Sequence, residues 1–435
     1  MTAFPKYPRY KDSGVEWLGD VPDHWEVRRN LGIFDERKEA NLPNAELLSV
    51  TQDRGIIRQS EITAKKDSSN DDKTKYKVVK VGDLAYNKMR AWQGALGISD
   101  YDGIVSPAYV VLTPRNPKLS KFFHYLFRTN EFITEANRLS YGLCGDMNSL
   151  RYEHFKTSYS VIPPDRDIDR IVTFLDEKTT QIDALIAKKQ RQIELLDEQK
   201  AILINRAVTR GLHPNPDLQD SGIPWIGPIP KHWHVIPIKR MASVQNGVTL
   251  GPVYPVNISS EVPYLRVANV QNGSLNLNVV ATLRLPRRVA AKYLLQSGDV
   301  LVAEGGDLDK LGRGCVWRAE LPYCIHQNHV FAVRTEAKRL LPDFLSTALG
   351  SRYGQRYFML TGKQTTNLAS TNSTSLMNFP LPTPPVEEQV RIMEELARTQ
   401  KAFERARNAI TSQIQTLQTL RSTLIAHAVT GKIRV

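Results

Sequence analysis

The chain contains duplicated stretches that lie about half its length apart. The stretch WLGDVPDHW at residues 17–25 returns as WIGPIPKHW at residues 225–233, and both copies follow the tripeptide Asp-Ser-Gly. We call these two stretches the cassettes. A second duplicated stretch begins at Ile162 and returns without a gap from Thr383. A repeat of this extent restricts the chain to an architecture of two related halves.

Both copies of the second stretch have the pattern of a long helix. Each opens on Pro-Pro and an acidic or polar first turn, at 165–167 and 387–388, which suits the positive end of a helix dipole. Apolar residues then recur in steps of three and four, with a slip near Leu185. This spacing predicts a coiled coil about 65 Å long, from about 43 helical residues. Since neither helix can bury its apolar stripe within its own half, we expect the two to pack against each other.

A more divergent block lies between cassette and helix in each half. KVGDLAYN at 80–87 resembles QSGDVLVA at 296–303, and short β-like runs precede a helical piece in each block. The sequence therefore predicts an α+β fold: two similar globular domains joined by two long antiparallel helices, an intramolecular coiled coil with a pseudo-twofold internal repeat. The expected boundaries are 1–160 for the first domain with its cassette, 161–212 for the first long helix, 213–382 for the second cassette and domain, and 383–435 for the second long helix.

Positive charge is concentrated in the two blocks. The chain of 435 residues has a formal net charge of +13. Residues 26–160 contain 21 Lys and Arg against 17 Asp and Glu, and residues 236–380 contain 16 against 8. Basic surfaces favour polyanions, because binding neutralises phosphates and releases their counterions. We expect the blocks to face nucleic acid and the helices to act as a scaffold.

Length and composition narrow the class of protein. A chain this long exceeds one ordinary core, so two or more domains are expected. No run of 18 apolar residues occurs, and the first residues lack the core of a signal peptide. Three cysteines in so long a chain fit a reducing compartment. The sequence therefore predicts a cytoplasmic protein with no membrane partner.

Motifs of common nucleotide-using enzymes do not occur in the sequence. It contains no P-loop signature, no dinucleotide-binding glycine motif after a strand, and no Asn-Pro-Pro-aromatic tetrapeptide of the kind that amino-methyltransferases use. Glu304 and Asp307 place two carboxylates close together, but without a lysine in nuclease-like spacing. We therefore expect no catalytic residues and no metal site in this chain.

Four residues of the second block could be considered as zinc ligands. Cys315, Cys324, His326 and His329 supply four potential ligands, but their spacing fits no familiar zinc pattern. Both histidines fall on a β-like run, where residues three apart point to opposite faces. A structural or DNA-facing role is the better interpretation of these histidines.

Polar side chains in glycine-rich loops are the better candidates for contacts with DNA. Arg and Lys bind guanine edges or phosphates, Asn and Gln pair with adenine, and Trp supports or wedges bases. One such loop alone is an ordinary surface feature, whereas matching sets in two basic blocks favour DNA binding. The candidate DNA-binding residues are Lys88, Arg90, Trp92, Gln93, Asn148, Arg151, Lys310, Arg313, Gln327, Asn328, His329, Lys363, Gln364 and Asn367.

The combination resembles the specificity subunit of type I restriction-modification systems across essentially all of the chain. The resemblance rests on DSGVEWLGDVPDHW and its copy DSGIPWIGPIPKHW, on IPPDRDIDRIVTFLD and TPPVEEQVRIMEEL at the start of the helices, and on AVTRGL and AVTGKI at their ends. Within the blocks, NKMRAWQGALG with GIVSPAYVVL, and EGGDLDKLGRG with HQNHVF, are similar to recurrent sequences of target recognition domains.

The resemblance implies a function. Each block would be a target recognition domain that reads one half of a bipartite, asymmetric site in double-stranded DNA, while the paired helices set the spacer and dock modification subunits. Two modification subunits would supply S-adenosylmethionine binding and adenine methylation. A restriction subunit would supply ATP- and Mg²⁺-dependent translocation and cleavage. This chain would then be non-catalytic and bind no cofactor itself.

The cassettes are expected to be structural. Each one starts a block just after a long helix has ended, as if the sequence were a circle cut open. Trp17, Trp25, Trp225 and Trp233 are predicted to anchor the domains to the helices, with contact to a partner subunit as the other possibility. For the whole chain, two alternatives stay open: a non-enzymatic coiled-coil adaptor with two protein-binding domains, and an enzyme that acts on DNA itself.

Overall fold

The computed structural model divides the chain into two compact units. It describes residues 4–52, 54–62, 72–142, 148–251, 254–306, 311–364 and 369–435, without the side chain of Gln364. The first unit contains Met1–Gln190 and Thr411–Val435, and the second contains Arg191–Ile410. No helix in the described part of the chain is long and apolar enough to cross a membrane.

Nine α-helices occur in the described residues, and two of them are much longer than the rest. They are α1 Leu119–Leu126, α2 Asn130–Arg138, α3 Tyr152–Phe155, α4 Asp165–Arg210, α5 Arg287–Ala290, α6 Pro342–Gly350, α7 Arg352–Thr361, α8 Ser373–Met377 and α9 Val386–Val429. α4 has 46 residues and α9 has 44. Each long helix therefore contributes residues to both units.

The first unit is built on a four-stranded antiparallel sheet. Its strands are β1 Tyr10–Asp12, β2 Asp20–Pro22, β3 Glu26–Arg29, β4 Phe34–Glu36, β5 Leu48–Thr51, β6 Gly55–Arg58, β7 Lys77–Val79, β8 Leu84–Asn87, β9 Leu96–Ile98, β10 Gly103–Val105, β11 Tyr109–Pro114 and β12 Tyr159–Ile162. The sheet has the order β4-β11-β8-β9. β12 pairs separately with β3, immediately before α4 begins.

Phenylalanine side chains join this sheet to the short helices of the first unit. Six of them, together with Trp25, are almost completely buried: Phe34, Phe122, Phe123, Phe127, Phe132 and Phe155. The ring centroids of Phe127 and Phe132 are 4.4 Å apart, and the rings of Phe123 and Phe127 stack at 5.0 Å. Burial of each such side chain contributes about 1.5–3 kcal/mol. This aromatic core fixes α1 and α2 against the sheet.

The second unit contains the same sheet. Its strands are β13 Leu218–Gln219, β14 Ile229–Pro230, β15 His234–Pro237, β16 Ala242–Asn246, β17 Ser260–Leu265, β18 Ala281–Leu285, β19 Val300–Ala303, β20 Gly305–Gly306, β21 Gly314–Val316, β22 Ile325–His326, β23 Val330–Thr335, β24 Lys363–Gln364, β25 Ala369–Ser370 and β26 Pro380–Thr383. The order β16-β23-β19-β21 matches that of the first unit strand for strand. The second unit also contains two small sheets, β18-β17-β22 and β20-β25-β24.

Within the first unit, α4 and α9 run antiparallel. Arg421 donates two hydrogen bonds to the carboxylate of Asp183, at 2.9 and 3.2 Å. Toward the start of α4, Phe174 lines the same depression as the last residue of the chain, Val435. At the expected slip in the apolar pattern, Ile186 packs against the core whereas Leu185 is 46% exposed. The stripe therefore continues through Ile186.

The two long helices are antiparallel within the second unit as well. Asp197 and Arg407 approach to 4.0 Å. Further along α4, Ile204 lines the same cavity as Leu396 and Gln400, which lie earlier in α9. The alternation of half-buried and exposed residues continues through this part of both helices. The prediction of a mixed α/β chain with a long amphipathic helix is thus confirmed, whereas the domain boundaries stay a prediction.

The helical piece expected in each block consists of two short helices. In both units the helix is interrupted between them, and the second helix begins with an N-cap residue. Thr129 accepts a hydrogen bond from the backbone N–H of Phe132 at the start of α2, and Ser351 accepts one from Gly354 at the start of α7. Such caps satisfy backbone donors that have no partner within the helix.

Candidate nucleic-acid interface

A Gly-Asp turn precedes the central strands β8 and β19 of the two sheets. Gly82 and Gly298 have φ values of +89° and +93°, a conformation that glycine adopts without strain. The following residues, Asp83 and Asp299, are each 1% exposed. Each of these carboxylates accepts a 2.8 Å hydrogen bond from the backbone N–H three residues earlier. The two turns are equivalent down to their hydrogen bonds.

Different segments supply the cation that compensates this buried carboxylate: residues just after β4 in the first unit and β23 in the second. Asp83 accepts hydrogen bonds from Arg37, at 2.6 and 3.1 Å, and from the hydroxyl of Thr113 at 2.7 Å. Asp299 instead accepts two hydrogen bonds of 2.8 Å from Arg334. Hydrogen bonding to its aspartate raises the pKa of each arginine. Both pairs hold the start of the strand rigidly, because a buried charge is tolerated only when it is paired.

The loop after β8 meets a second predicted loop of the first unit. We call residues 87–95 the recognition loop. The backbone N–H of Leu150 donates to the carbonyl of Lys88 at 2.9 Å, so the loop lies beside the segment that holds Asn148 and Arg151. The side chain of Arg151 is exposed, and those of Lys88 and Asn148 are half-buried. The structure thus brings together two stretches that the sequence singled out separately.

Side-chain hydrogen bonds order the tip of the recognition loop. Arg90 donates to the side-chain oxygen of Gln93 at 2.9 Å, and Gln52 donates to the same oxygen at 3.0 Å. The indole N–H of Trp92 donates to the carbonyl of Met89 at 3.0 Å. Arg90 is exposed, while Trp92 and Gln93 are half-buried. Ordered donors and acceptors on a partly exposed turn can read base edges.

The corresponding loops of the second unit also converge. The backbone N–H of Thr371 donates to the carbonyl of Glu304 at 2.8 Å, as Leu150 does to Lys88 in the first unit. The imidazole of His329 hydrogen-bonds the Glu304 carboxylate through Nδ1 at 2.6 Å. His329 is exposed, and its neighbour Asn328 is half-buried. An acidic residue therefore stands in the second unit where the first has a lysine.

The remaining predicted residues of the second unit differ in their exposure. Gln327 is half-buried, and Lys363 is exposed on β24. Arg313 is half-buried, and its carbonyl accepts a 2.9 Å hydrogen bond from Ala303. Lys310 and Asn367 lie outside the described residues, and the side chain of Gln364 is not described.

Glu304 and Gln52 are the residues that sequence reasoning missed as members of these loops. Glu304 was considered only as part of a nuclease centre. The spacing of the duplication could have identified it, since KVGDLAYN and QSGDVLVA are immediately followed by Lys88 and Glu304. No sequence signal points to Gln52, which comes from a different hairpin.

The four potential zinc ligands do not form a site. The prediction that both histidines lie on one β-like run is wrong, because His326 ends β22 and His329 lies in a turn before β23. His326 is fully buried with Nδ1 2.7 Å from the carbonyl of Val330, and burial lowers its pKa. Burial raises the pKa of Cys315 and of Cys324 to about 12. Within the described ranges no three potential ligands cluster.

The first cassette lies where the two long helices meet in the first unit. Trp25 is fully buried, and its indole N–H donates to the carboxylate of Asp167, in the first turn of α4, at 3.0 Å. His24 lies 2.7 Å from the same oxygen. On the other side of the ring is Gly431, just beyond α9, where an added Cβ would lie 3.2 Å from Trp25.

The second cassette repeats this joint in the second unit. The indole N–H of the buried Trp233 donates to Glu388, in the first turn of α9, at 3.1 Å. His232 lies 2.8 Å from the same carboxylate oxygen. Gly211, just beyond α4, approaches the ring, and a Cβ there would lie 3.1 Å from it. Each of these tryptophans thus contacts the start of one long helix and the end of the other.

The first tryptophan of each cassette packs without a polar partner. Trp17 and Trp225 are partly buried against the cores of their units. Their indole nitrogens are buried and have no hydrogen-bond partner within the described part of the chain. The ring of Trp17 meets that of Phe132 edge-on, with centroids 5.5 Å apart.

Curated relatives of the chain are specificity subunits of type I restriction enzymes. The MjaVIII specificity subunit of Methanocaldococcus jannaschii is 24% identical over 341 residues, which cover 77% of this chain and 75% of the relative. The EcoBI specificity subunit of Escherichia coli is 21% identical over 284 residues, covering 62% of this chain and 58% of the relative. No protein-family model matches the sequence.

Solved structures share the fold. A chain from a structure of the type I R-M system, which concerns complex assembly and conformational transition, superposes with a TM-score of 0.67 at 16% identity. The HsdS subunit of Thermoanaerobacter tengcongensis gives a TM-score of 0.50 at 17% identity. Both comparisons cover 94% of this chain and 98% of the other. The resemblance inferred from the sequence is confirmed.

Proposed function

Because the chain is similar to type I specificity subunits over 77% of its length and shares their fold, we propose that it is the DNA sequence-specificity subunit of a type I restriction-modification complex. The observation that carries the proposal is the repeated arrangement of the loops. Two units with the same sheet present equivalent loops that carry different polar side chains. Such loops are suited to reading bases, and the scaffold to holding them.

Each unit would act as one target recognition domain. The loop around Arg90 and Gln93 would read one half of the target, and the loop around Glu304 and His329 would read the other. Since the two loops differ in charge and in hydrogen-bonding groups, the two halves of the site would differ in sequence. A bipartite, asymmetric target follows, in contrast to the palindrome that a homodimer reads.

The two long helices would form the scaffold between the recognition domains and set the spacer. A helix of 46 residues extends about 69 Å. Half-sites one helical turn of DNA apart are separated by about 34–36 Å. A pseudo-twofold, antiparallel coiled coil is therefore long enough to carry one domain toward each end. The cassettes would fix each domain at the point where the helices meet.

The chemistry of the complex would belong to other subunits. Two modification subunits would bind S-adenosylmethionine and methylate adenine, and a restriction subunit would use ATP and Mg²⁺ to translocate and cleave DNA. This chain would bind no cofactor and would work in the cytoplasm. The structure of the type I R-M system that shares its fold concerns complex assembly, which supports partner subunits for this chain.

A salt titration of DNA binding tests the proposal against a protein-binding adaptor. We expect the purified full chain to bind mixed-sequence duplex DNA, with a logarithmic affinity that falls linearly with the logarithm of salt concentration. An adaptor would show little affinity for duplex DNA at any salt concentration. Methyl transfer or cleavage by the chain alone would contradict a non-catalytic role.

A further inference from the structure

A cavity in the first unit has a basic lining. It has a volume of about 470 Å³ and is lined by residues from the β5–β6 turn, from α1 and α2, and from the last part of α9. Arg54, Arg128 and Arg421 supply three guanidinium groups, against a single carboxylate, that of Glu131. We call this the arginine cavity. Three arginines around one opening are the donor set that phosphate oxygens prefer.

The arginine cavity is connected to the recognition loop. Arg128 donates to the carbonyl of Leu96 at 3.1 Å and to that of Gln52 at 3.3 Å. The side chain of Gln52 in turn donates to Gln93 at the tip of the recognition loop. Gln52 therefore connects Arg128 to Gln93, a predicted base contact. The hairpin that holds Gln52 helps to position both side chains. A phosphate held in the cavity would lie beside the bases that the loop reads.

The arginines differ in how strongly the protein compensates their charge. Arg421 forms a bidentate ion pair with Asp183 on α4. Arg54 pairs with Glu61 at 2.5 Å, but both side chains are more than a third exposed. Exposed ion pairs are weak because water screens them, so a phosphate can replace Glu61 as the partner of Arg54.

The histidine at the base of the arginine cavity experiences its positive potential. Burial, which is the largest effect, and the charges of Arg128 and Arg421 together lower the pKa of His124 to about 4, against an opposing effect of Asp176. His124 is therefore neutral at physiological pH. The arginines are left to supply the positive charge of the cavity.

We propose that the arginine cavity binds a backbone phosphate of duplex DNA next to the bases contacted by the recognition loop. The proposal rests on the proposed function. It adds a contact that sets where the protein lies along the DNA and does not select the base sequence. Phosphate contacts of this kind position a protein on DNA, whereas base contacts select the sequence. Loss of the contact should weaken binding to all sequences equally.

Arg54→Ala tests the proposal, and the same hairpin offers a matched control. Arg54 and Arg58 are each 49% exposed, and each is paired with a glutamate. Arg58, however, lies over the ring of Tyr101 at 4.8 Å and does not line the cavity. We expect Arg54→Ala to reduce the salt slope of duplex binding by about 0.9 and the affinity at about 0.1 M salt roughly eightfold. Arg58→Ala should change neither by as much.

Two further variants test the sign of the effect. Arg54→Lys keeps the charge and should restore the salt slope of the wild-type chain. Glu131→Gln removes the carboxylate from the lining and should tighten binding to DNA of any sequence. Weaker binding by Glu131→Gln would contradict an anion site in this cavity. Thermal melting of each variant checks that folding is unchanged.

The outcomes separate this proposal from the function on which it rests. If the wild-type chain shows no salt-dependent binding to duplex DNA, the proposed function itself fails. If the wild-type chain binds and Arg54→Ala behaves as Arg58→Ala does, the phosphate site is wrong while the function stands. Stabilisation by inorganic phosphate that depends on Arg54, together with DNA affinity that does not, would assign the cavity to a free phosphate ligand and also overturn the proposal.

Discussion

The two units place the same buried carboxylate at the same turn but compensate it from different strands. In the first unit the guanidinium comes from Arg37, just beyond the edge strand β4, and Thr113 on β11 adds a hydroxyl. In the second unit Arg334 on β23, at the position that matches Thr113, supplies the guanidinium. The requirement is for a partner to the buried charge, and either strand can satisfy it.

The cavities beside α1 and α6 differ in the charge of the residues that line them. In the second unit a cavity of about 430 Å³ includes Lys200, which corresponds to Arg421 in the duplication, and Gly350, which corresponds to Arg128. Lys200 is the one cation among the described residues that line it. The block with the larger excess of basic residues therefore has the less basic cavity. Charge counts predict a polyanion partner but not where it is held.

Loss of the arginine that pairs with the buried carboxylate should have the largest effect, and the effect should differ between the units. Arg334→Ala leaves Asp299 with one backbone donor, whereas Arg37→Ala leaves Asp83 with a backbone N–H and the Thr113 hydroxyl. We expect losses of about 3 kcal/mol for Arg334→Ala and about 2 kcal/mol for Arg37→Ala in the free energy of unfolding. Urea denaturation of the full chain measures both.

A transplanted arginine sharpens this comparison. Thr113→Arg in the Arg37→Ala background gives the first unit the arrangement of the second, and should recover most of the lost stability. Equal losses for the two single variants, together with no recovery, would show that these arginines do not compensate the buried carboxylates.

The helix ends at the cassettes should show the next largest effect. Gly431 and Gly211 both have positive φ values, +73° and +71°. A Cβ on Gly431 would lie 2.3 Å from the ring of Pro22, whereas one on Gly211 would lie 3.1 Å from Trp233 and Glu388. We expect Gly431→Ala to cost about 2–3 kcal/mol and Gly211→Ala about 1–2 kcal/mol. Calorimetric melting of the two variants would contradict this account if Gly211→Ala were the more destabilising.

The sequence predicted the features that depend on local patterns or on the duplication. The long helices were expected over 161–212 and 383–435, and the structure has α4 and α9 within those ranges. The anchor role of the tryptophans stays a prediction, and it did not include the carboxylates that Trp25 and Trp233 contact. Asp167 is 142 residues from Trp25, and nothing in the local sequence relates the two. Contacts over such separations are fixed by the fold.

The cavity and the arginine pairs show a further limit. Arg54, Arg128 and Arg421 come from three separate segments, and one of them comes from the far end of the chain. The duplication does not identify them, because Arg128 corresponds to a glycine in the other half. A search for the repeat therefore does not find side chains that are present in one half and absent from the matching position of the other.

Base discrimination should be affected in only one half of the target at a time. Arg90→Ala in the first unit and Arg313→Ala in the second are each expected to relax discrimination at one half-site by about 1–3 kcal/mol, if the arginine reads a guanine edge. The assembled complex should still select the other half-site normally. Sequencing of methylated sites in host DNA measures both halves together. Unchanged methylation in both variants would remove these arginines from the base contacts.

The smallest expected difference concerns acid sensitivity. His124 and Ser346 occupy matching positions, each five residues before the N-cap of the next helix. Burial holds the pKa of His124 at about 4, below its value in the unfolded chain. The resulting stabilisation is complete above the unfolded pKa, about 6.5, and is lost as the pH falls toward 4. The first unit should therefore weaken at mildly acidic pH through a group that the second lacks at this position.

Hydrogen exchange of peptides from α1 measures this loss locally. Corrected for the intrinsic pH dependence of exchange, the opening free energy of the wild-type chain should fall by about 1–2 kcal/mol between about pH 7 and pH 5. His124→Ser, which installs the residue of the second unit, should remove that dependence even though the carboxyl groups of Asp176 and Glu131 remain nearby. His329→Ser is the control, because His329 is exposed and its loss should leave the response of α1 unchanged. An acid response in α1 that persists in His124→Ser would assign it to the neighbouring carboxylates instead.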